Sequence, residues 1–286
     1  MRSVVVTGAS TGIGYATAKV LIGAGFGVFG SVRRDEDAAR LSSELGHHFT
    51  PLQFDVADEA AVARAAGEVR AVLGAANLAG LVNNAGVAVP GPLLELPIAE
   101  FRRQIEVNLT GQLIVTQAFA PLLGAEPGRT GGPGKIVMIS SIAGKSGAPF
   151  LGPYAASKHG LEGLSESLRR ELMLFGIDVV IVGPAGIATP IWSKARDLDM
   201  EPYAGSPHYE PLKRVRSFVS GSGRGGLPAE IVGALVLKIL TTRHPRVRYT
   251  VAPLSLTRFA MAVLPKRLLD RIIARRLGLV PKKPAP

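Results

Sequence analysis

The chain has 286 residues, of which 47% are hydrophobic and 19% charged, enough apolar surface to offset chain entropy; wholesale disorder is excluded and one large α/β domain, 1–286, is expected. With no cysteine and five histidines that show no metal spacing, disulfide frameworks, thiolate metal sites and a cysteine nucleophile are excluded, and a cytoplasmic location is expected. The net charge of +11 is uneven, because residues 1–200 carry 17 Lys+Arg against 18 Asp+Glu whereas residues 201–286 carry 16 against 4. Such an asymmetry suits either an anionic surface as partner or a solvated basic face.

In chain order, Val4 to Val6 is a β-branched run ended by Thr7-Gly8, and Gly12-Ile13-Gly14 opens a helical pattern through Ala16, Val20 and Leu21. Strands are predicted at Gly27 to Val32, Pro51 to Phe54, Leu78 to Val82, Lys135 to Ser140 and Asp178 to Val182. Helices alternate with them at Asp35 to Leu45, Glu59 to Leu73, Glu100 to Leu123 and Tyr154 to Phe175. This order predicts a Rossmann-type, doubly wound parallel sheet with helices on both faces. The stretch Glu126 to Gly134, rich in Gly and Pro, reads as a surface loop, and no internal repeat is evident.

After Ile181 the alternation is expected to stop. Residues 193–228 contain Pro202, Pro207, Pro211 and a GSGRGG stretch, which predicts an irregular insertion acting as a substrate lid or else a loop with no such role. Its Met200, Tyr203 and Tyr209, with Ile191 and Trp192 before it, suit an apolar pocket or internal packing. The segment Arg258 to Lys283 holds eight Lys+Arg and one acid, Asp270. Pro265 splits it, and Leu268, Leu269, Ile272 and Ile273 then share a helical face opposite Arg271 and Arg275. Two readings follow: a cap over the pocket or over a partner subunit, and a peripheral contact with an anionic membrane. No spanning helix is expected, since the uncharged stretch Ala71 to Leu94 contains Asn77, Asn83, Asn84, Pro90 and Pro92, and Met1-Arg2 leads straight into a strand without room for a secretory leader.

In an open parallel sheet the first strand-to-helix turn is the phosphate site, and here it reads Thr7-Gly8-Ala9-Ser10-Thr11-Gly12-Ile13-Gly14. No Lys-Ser/Thr follows as in a P-loop, and the spacing differs from G-x-G-x-x-G. Downstream, Tyr154 and Lys158 are four apart on a predicted helix and share a face. Tyrosine at its ordinary pKa is a weak base at neutral pH, and a cation alongside favours phenolate, which explains the Y-x-x-x-K spacing as an acid/base device for a secondary alcohol and its ketone.

The turn T-G-x-x-x-G-I-G, Asn83-Asn84-Ala85-Gly86 after the fourth strand, Asn108 in Val-Asn-Leu-Thr-Gly, Ser141 after the fifth strand and Tyr154-Ala-Ala-Ser-Lys158 occur in the order of the classical short-chain dehydrogenase/reductase family, which residues 1 to about 190 resemble. The resemblance implies a nicotinamide cofactor held by Gly8, Ser10, Thr11, Gly12, Ile13 and Gly14, with Asn83, Ala85 and Gly86 along the adenosine. Asp55 is similar to the family residue beside the adenine, its alternative being a helix N-cap. NAD-using relatives carry an acid about eighteen residues after the last glycine of the turn. Here that place is Val32, followed by Arg33 and Arg34. Arg33, with Ser10 or Thr11, therefore resembles a ligand of a 2′-phosphate and implies NADP(H) rather than NAD(H), its alternative being a solvated residue opening the next helix.

The same resemblance makes Ser141, not the adjacent Ser140, the donor to the substrate oxygen, and gives Lys158 the nicotinamide ribose. It makes Asn108 the holder of a water leading from Lys158 to solvent, against a structural helix kink. Pro184, Ile187 and Thr189 match the turn that holds the carboxamide, although Ala185 stands where glycine is usual and Gly186 is left to absorb the strained dihedrals. His159 reads as an ordinary helix residue. The stretch from Leu168 to Val179 and the long C-terminal extension resemble the branch of hydroxysteroid, retinol and hydroxybutyrate dehydrogenases. That implies a hydrophobic alcohol or carbonyl substrate and a homodimer or homotetramer packed through the two long helices. The competing reading is a protein that binds NADPH as a sensor without turnover; a nucleic-acid partner lacks any motif.

Overall fold

The computed structural model of the protein describes residues 1–191, 199–222, 226–253 and 264–281. Seven parallel strands form one sheet: β1 (Ser3–Val6), β2 (Gly27–Val32), β3 (Phe49–Gln53), β4 (Gly80–Asn83), β5 (Lys135–Ile139), β6 (Asp178–Pro184) and β7 (Arg248–Val251), in the order β3-β2-β1-β4-β5-β6-β7. Val4, Val5 and Val6 pair with Val28, Phe29 and Gly30 on one side and with Gly80, Leu81 and Val82 on the other. The order reverses between β1 and β4, so the crevice that receives a ligand opens there.

Because side chains alternate along a strand, the buried runs feed two cores. Val4, Val6, Val28, Val137, Val180 and Val182 face one side, packing with α1 (Gly12–Gly23), α2 (Asp35–Leu45) and the later helix Glu230–Thr241. Val5, Leu81, Ile136, Met138 and Val179 face the other, against α3 (Glu59–Leu73), α5 (Gly111–Phe119) and α6 (Gly152–Glu171). Asp58 caps α3 by accepting from Ala61 N at 2.9 Å, so Asp55 is not that cap.

The single helix expected from Glu100 to Leu123 is interrupted. It consists of α4 (Ile98–Ile105), a π-helical turn at Glu106–Thr110, α5, and a 3₁₀ turn at Ala120–Leu123. The alternation also continues beyond β6, contrary to expectation. Residues 193–228 include a helix, α7 (Tyr209–Ser222), and α8 (Glu230–Thr241) then leads into β7. The packing of α8 explains its glycine: a Cβ on Gly233 would stand 3.0 Å from Ala16 O and 3.2 Å from Thr17 Cα, so the contact with α1 is backbone to backbone. The last described helix, α9 (Lys266–Leu277), begins just after Pro265.

The lid aromatics pack internally. Met200, Tyr203, Leu212 and Val215 form a buried cluster with Phe150, joined by Tyr209 and by Leu277 and Leu279 at the end of α9. Trp192, Arg258 and the remainder of 254–263, and Lys282 and Lys283 lie outside the described residues. No described helix is long and apolar enough to cross a membrane.

Candidate active site

The carboxyl ends of the strands line one cleft of about 1290 Å³. Its floor is the first turn, whose shape is set by glycine. Gly8 and Gly12 have φ of +65° and +58°, the left-handed region that a side chain disfavours. At Gly14 a Cβ would lie 2.1 Å from Gly8 O and 2.6 Å from Asn84 Nδ2, so only glycine lets α1 start this close to the loop. Thr11 caps α1 without a side-chain cap bond, and no acid occupies the first helical turn. The amide groups and positive end of α1 are thus directed at the cleft without a local counter-charge, which suits a pyrophosphate.

Thr7 and Asn84 clamp the two strands at the switch point. Thr7 Oγ1 accepts from Asn84 N and Ala85 N, both at 2.9 Å, while Asn84 Nδ2 donates to Thr7 O at 2.8 Å and to Gly8 O at 3.2 Å. Asn84, Ala85 and Gly86 line the cleft, whereas Asn83 is buried and turned away, donating to Thr116 Oγ1 at 2.8 Å. Strand alternation makes the second asparagine, not the first, the one at the cleft.

At the far end stand Ser10, Thr11, Arg33 and Asp55. Arg33 is 63% exposed and 3.5 Å from Asp55, a weak pairing that leaves the guanidinium available to a stronger anion. Arg34 instead joins Asp37 at 3.0 Å. Arg40 was not suspected from the sequence. It reaches back to donate to Ser10 O at 2.8 Å while pairing with Asp37 and Glu44, and so ties α2 to the loop.

At the other end, Ser141, Tyr154 and Lys158 come together. Burial pushes the Tyr154 phenol up, and a hydrogen bond with Ser141 opposes it. Lys158 is 5.9 Å from the Tyr154 ring centroid and donates to Ile139 O at 2.7 Å. Burial lowers its pKa to about 8, with Glu162 pulling the other way. Ser141 Oγ accepts from Ala143 N at 3.1 Å, while Ser140 turns away to donate to buried Glu162 Oε1 at 2.9 Å. His159 lines the cleft, with its Nδ1 2.8 Å from Ala155 O.

Asn108 sits in the π-helical turn, fully buried. Its Oδ1 accepts from Val87 N at 2.8 Å, and its Nδ2 donates to Val87 O at 3.0 Å and to Ser157 Oγ at 3.1 Å. Its side chain does not bond Lys158; it joins the segment after β4 to the helix bearing Tyr154. Above the turn that follows β6, Pro184, Ile187 and Thr189 line the cleft, and Gly186 takes φ +60°, as the neighbouring Ala185 required. Thr189 closes over the first turn, its Cβ within 3.3 Å of where a Cβ on Gly12 would stand. Among the described residues no group of three or more His, Asp or Glu could hold a metal ion.

These features, a glycine cradle at a helix N-terminus and a buried Tyr-Lys-Ser set at the other end of one cleft, fit a dinucleotide-dependent oxidoreductase. The short chain dehydrogenase family matches residues 2–199, and the chain belongs to that family. It is 41% identical to the NADPH-dependent 3-dehydrocapnine reductase of Ornithobacterium rhinotracheale over 97% of this chain and 98% of that one. It is 30% identical to retinol dehydrogenase 7 of Rattus norvegicus, covering 95% and 87%. Among solved structures, a short-chain dehydrogenase from Streptomyces avermitilis is similar with a TM-score of 0.77 and 26% identity over 97% of each chain.

Proposed function

We propose that the protein is an NADP(H)-dependent oxidoreductase that interconverts a hydrophobic alcohol and its carbonyl compound, a secondary alcohol with its ketone or a primary alcohol with its aldehyde, of steroid, retinoid or 3-oxoacyl type, with Tyr154 as acid/base. The observation that carries this reading is the convergence of Tyr154, Lys158 and Ser141 in one cleft with the glycine cradle. NADP(H), when bound, supplies or accepts the hydride at the carbinol carbon. Gly8, Ser10, Thr11, Gly12, Ile13 and Gly14 would hold its phosphates, Pro184, Ile187 and Thr189 its nicotinamide end, and Asp55, Ala85 and Gly86 its adenosine end. Arg33 beside Ser10 supports the phosphorylated nucleotide, since a guanidinium favours a 2′-phosphate where an acid would favour a ribose hydroxyl. The name of the Ornithobacterium relative points the same way.

Ser141 holds the substrate oxygen and stabilises charge that develops on it. In reduction Tyr154 Oη donates its proton to that oxygen; in oxidation it takes the proton back. Burial keeps the phenol protonated at neutral pH, the form that reduction needs. Lys158 places a positive charge beside the phenol and compensates the phenolate left behind, while Asn108 acts as a positioning residue through Val87 and Ser157. The inward residues of α9, Leu269 and Ile273, line the cleft and support the cap reading of the C-terminal segment. An oligomer built through α5 and α6 accords with the family.

Tyr154→Phe tests the assignment. Turnover of NADPH with ketones and aldehydes of these types is expected to disappear while NADPH binding persists, because only the proton-transfer group is lost. Retention of more than a few per cent of the activity would remove Tyr154 from its role, and a wild-type protein that binds NADPH yet reduces none of these compounds would favour the sensor reading.

A further inference from the structure

The catalytic end of the cleft carries more positive charge than a neutral carbonyl compound needs. Lys145, Arg248 and Lys266 line it together with Lys158, and the acids that face them are Asp270 in the wall and Glu162 behind it. Glu162 lies one helical turn after Lys158 and is only 4% exposed. It accepts from Arg248 Nε and Nη2, both at 3.0 Å, from Ser140 Oγ at 2.9 Å, and from Lys145 Nζ at 2.9 Å. Burial pushes its carboxyl up, but the hydrogen bonds from Arg248, Lys145 and Ser140 outweigh this and hold it ionised.

One carboxylate thus serves two cations. Arg248 engages it through two nitrogens and spends Nη1 on Thr250 Oγ1 at 2.7 Å, so the Glu162–Arg248 pair is already neutral, with Glu162 buried and Arg248 partly so. Lys145 is surplus to that pair. It follows the short turn that begins at Ser141, its side chain is 55% exposed, and an ammonium has three donors of which Glu162 uses one. The pair lies close behind the serine: a Cβ on Gly183 would stand 2.7 Å from Arg248 Nη2 and 3.5 Å from Ser141 O. The same cleft is also lined by the apolar side chains of Ile191, Leu264, Leu269 and Ile273.

We propose that the substrate is an anionic amphiphile, a carbonyl compound with a long apolar chain and an oxyanion a few bonds from the reacting carbon, the oxyanion held by Lys145 with Lys266 in support. This rests on the reductase reading of the same cleft. The chain lies along α9 and excludes water, which strengthens the attraction between Lys145 and the oxyanion beyond what an open surface allows. A neutral steroid or retinoid offers no acceptor of matching charge to the two Lys145 donors that Glu162 does not use.

The test uses two probes that share a chain and a ketone and differ in charge: 4-oxotetradecanoate and its methyl ester. kcat/KM with NADPH and affinity for the NADP-loaded protein by calorimetry are measured for both, on the wild type and on Lys145→Gln. The acid is expected to be preferred by about tenfold in both measurements, and the preference to fall towards parity in the variant. Equal affinity for acid and ester in the wild type overturns the proposal, even where both are reduced and the reductase reading stands. A preference that survives in Lys145→Gln equally overturns the assignment to Lys145. Tighter binding of the acid without turnover of either probe upholds the anion site and instead counts against the reductase reading. Since the comparison of acid with ester needs only wild-type protein, the proposal remains testable if the variant fails to fold.

Discussion

Replacing Lys158 by methionine separates what the residue does for chemistry from what it does to the fold. The ammonium is buried at 5% exposure, and its pKa is lowered from 10.5 to about 8. A folded-state value below the unfolded one means that the fold disfavours the protonated form. Over the span between these values this costs about 3 kcal/mol wherever the group is charged in both states. Methionine is close in length and carries no charge, but it forfeits the bond to Ile139 O, which costs about 1 kcal/mol. The net expectation is a gain of about 2 kcal/mol at pH 7, a rise in Tm of roughly 4 °C for a chain of this size, together with a loss of turnover of about 100-fold or more. Between about pH 8 and 10.5 the unfolded chain keeps a proton that the folded protein has released. Wild-type stability therefore rises with pH in that window, and the advantage of methionine fades across it. Calorimetric melts without nucleotide, at a series of pH values from 7 to 10.5, measure this directly. A variant less stable than the wild type at pH 7, or a difference that does not move across the window, would refute the account of a strained, buried ammonium.

The remaining expectations concern the nucleotide and the cap. Arg33→Asp should move the NADP-to-NAD ratio of kcat/KM towards NAD by about tenfold or more, through loss of a charge-assisted contact and added repulsion; an unchanged ratio would make Arg33 a surface residue. Gly14→Ala should lower stability by about 3 kcal/mol or more and abolish nucleotide binding, since its Cβ would fall 2.1 Å from Gly8 O; an unshifted Tm with intact binding would contradict the close approach. Because Leu269 and Ile273 face the cleft while Leu268 and Ile272 are 43% and 47% exposed, Leu269→Asp should raise KM for long-chain carbonyl compounds with little change in Tm. The outer pair with Arg267, Arg271 and Arg275 should bring the protein down with anionic but not zwitterionic liposomes at low salt; failure to co-sediment leaves α9 as a cap alone.

The strand-helix alternation up to β6 was legible in the sequence because a buried parallel strand must be a short β-branched run and an amphipathic helix must repeat every 3.6 residues. The spans of α2 and α3 agree with expectation residue for residue. Gly8, Gly12 and Gly14, and the i,i+4 spacing of Tyr154 and Lys158, were legible for the same reason: each encodes a local backbone requirement. What lay beyond reach depends on partners distant in the chain. The strand β7 contains Arg248 and Thr250, which read as polar until Glu162 on α6 supplies the counter-charge that lets Arg248 sit at the sheet. The helix Glu230–Thr241 has an apolar surface that only its seat against α1 and the sheet explains. The expected long helix is opened at Asn108 because that side chain bonds Val87 and Ser157, contacts absent from any local pattern. Asn83 and Asn84 are equivalent as letters, and the pleat at the end of β4 sends one into the core and the other to the cleft. Met200 and Tyr203 had the composition of a pocket wall but pack with Phe150 and the end of α9 instead, since an apolar side chain is buried by whichever apolar surface the fold brings nearest, and composition alone does not say which surface that is.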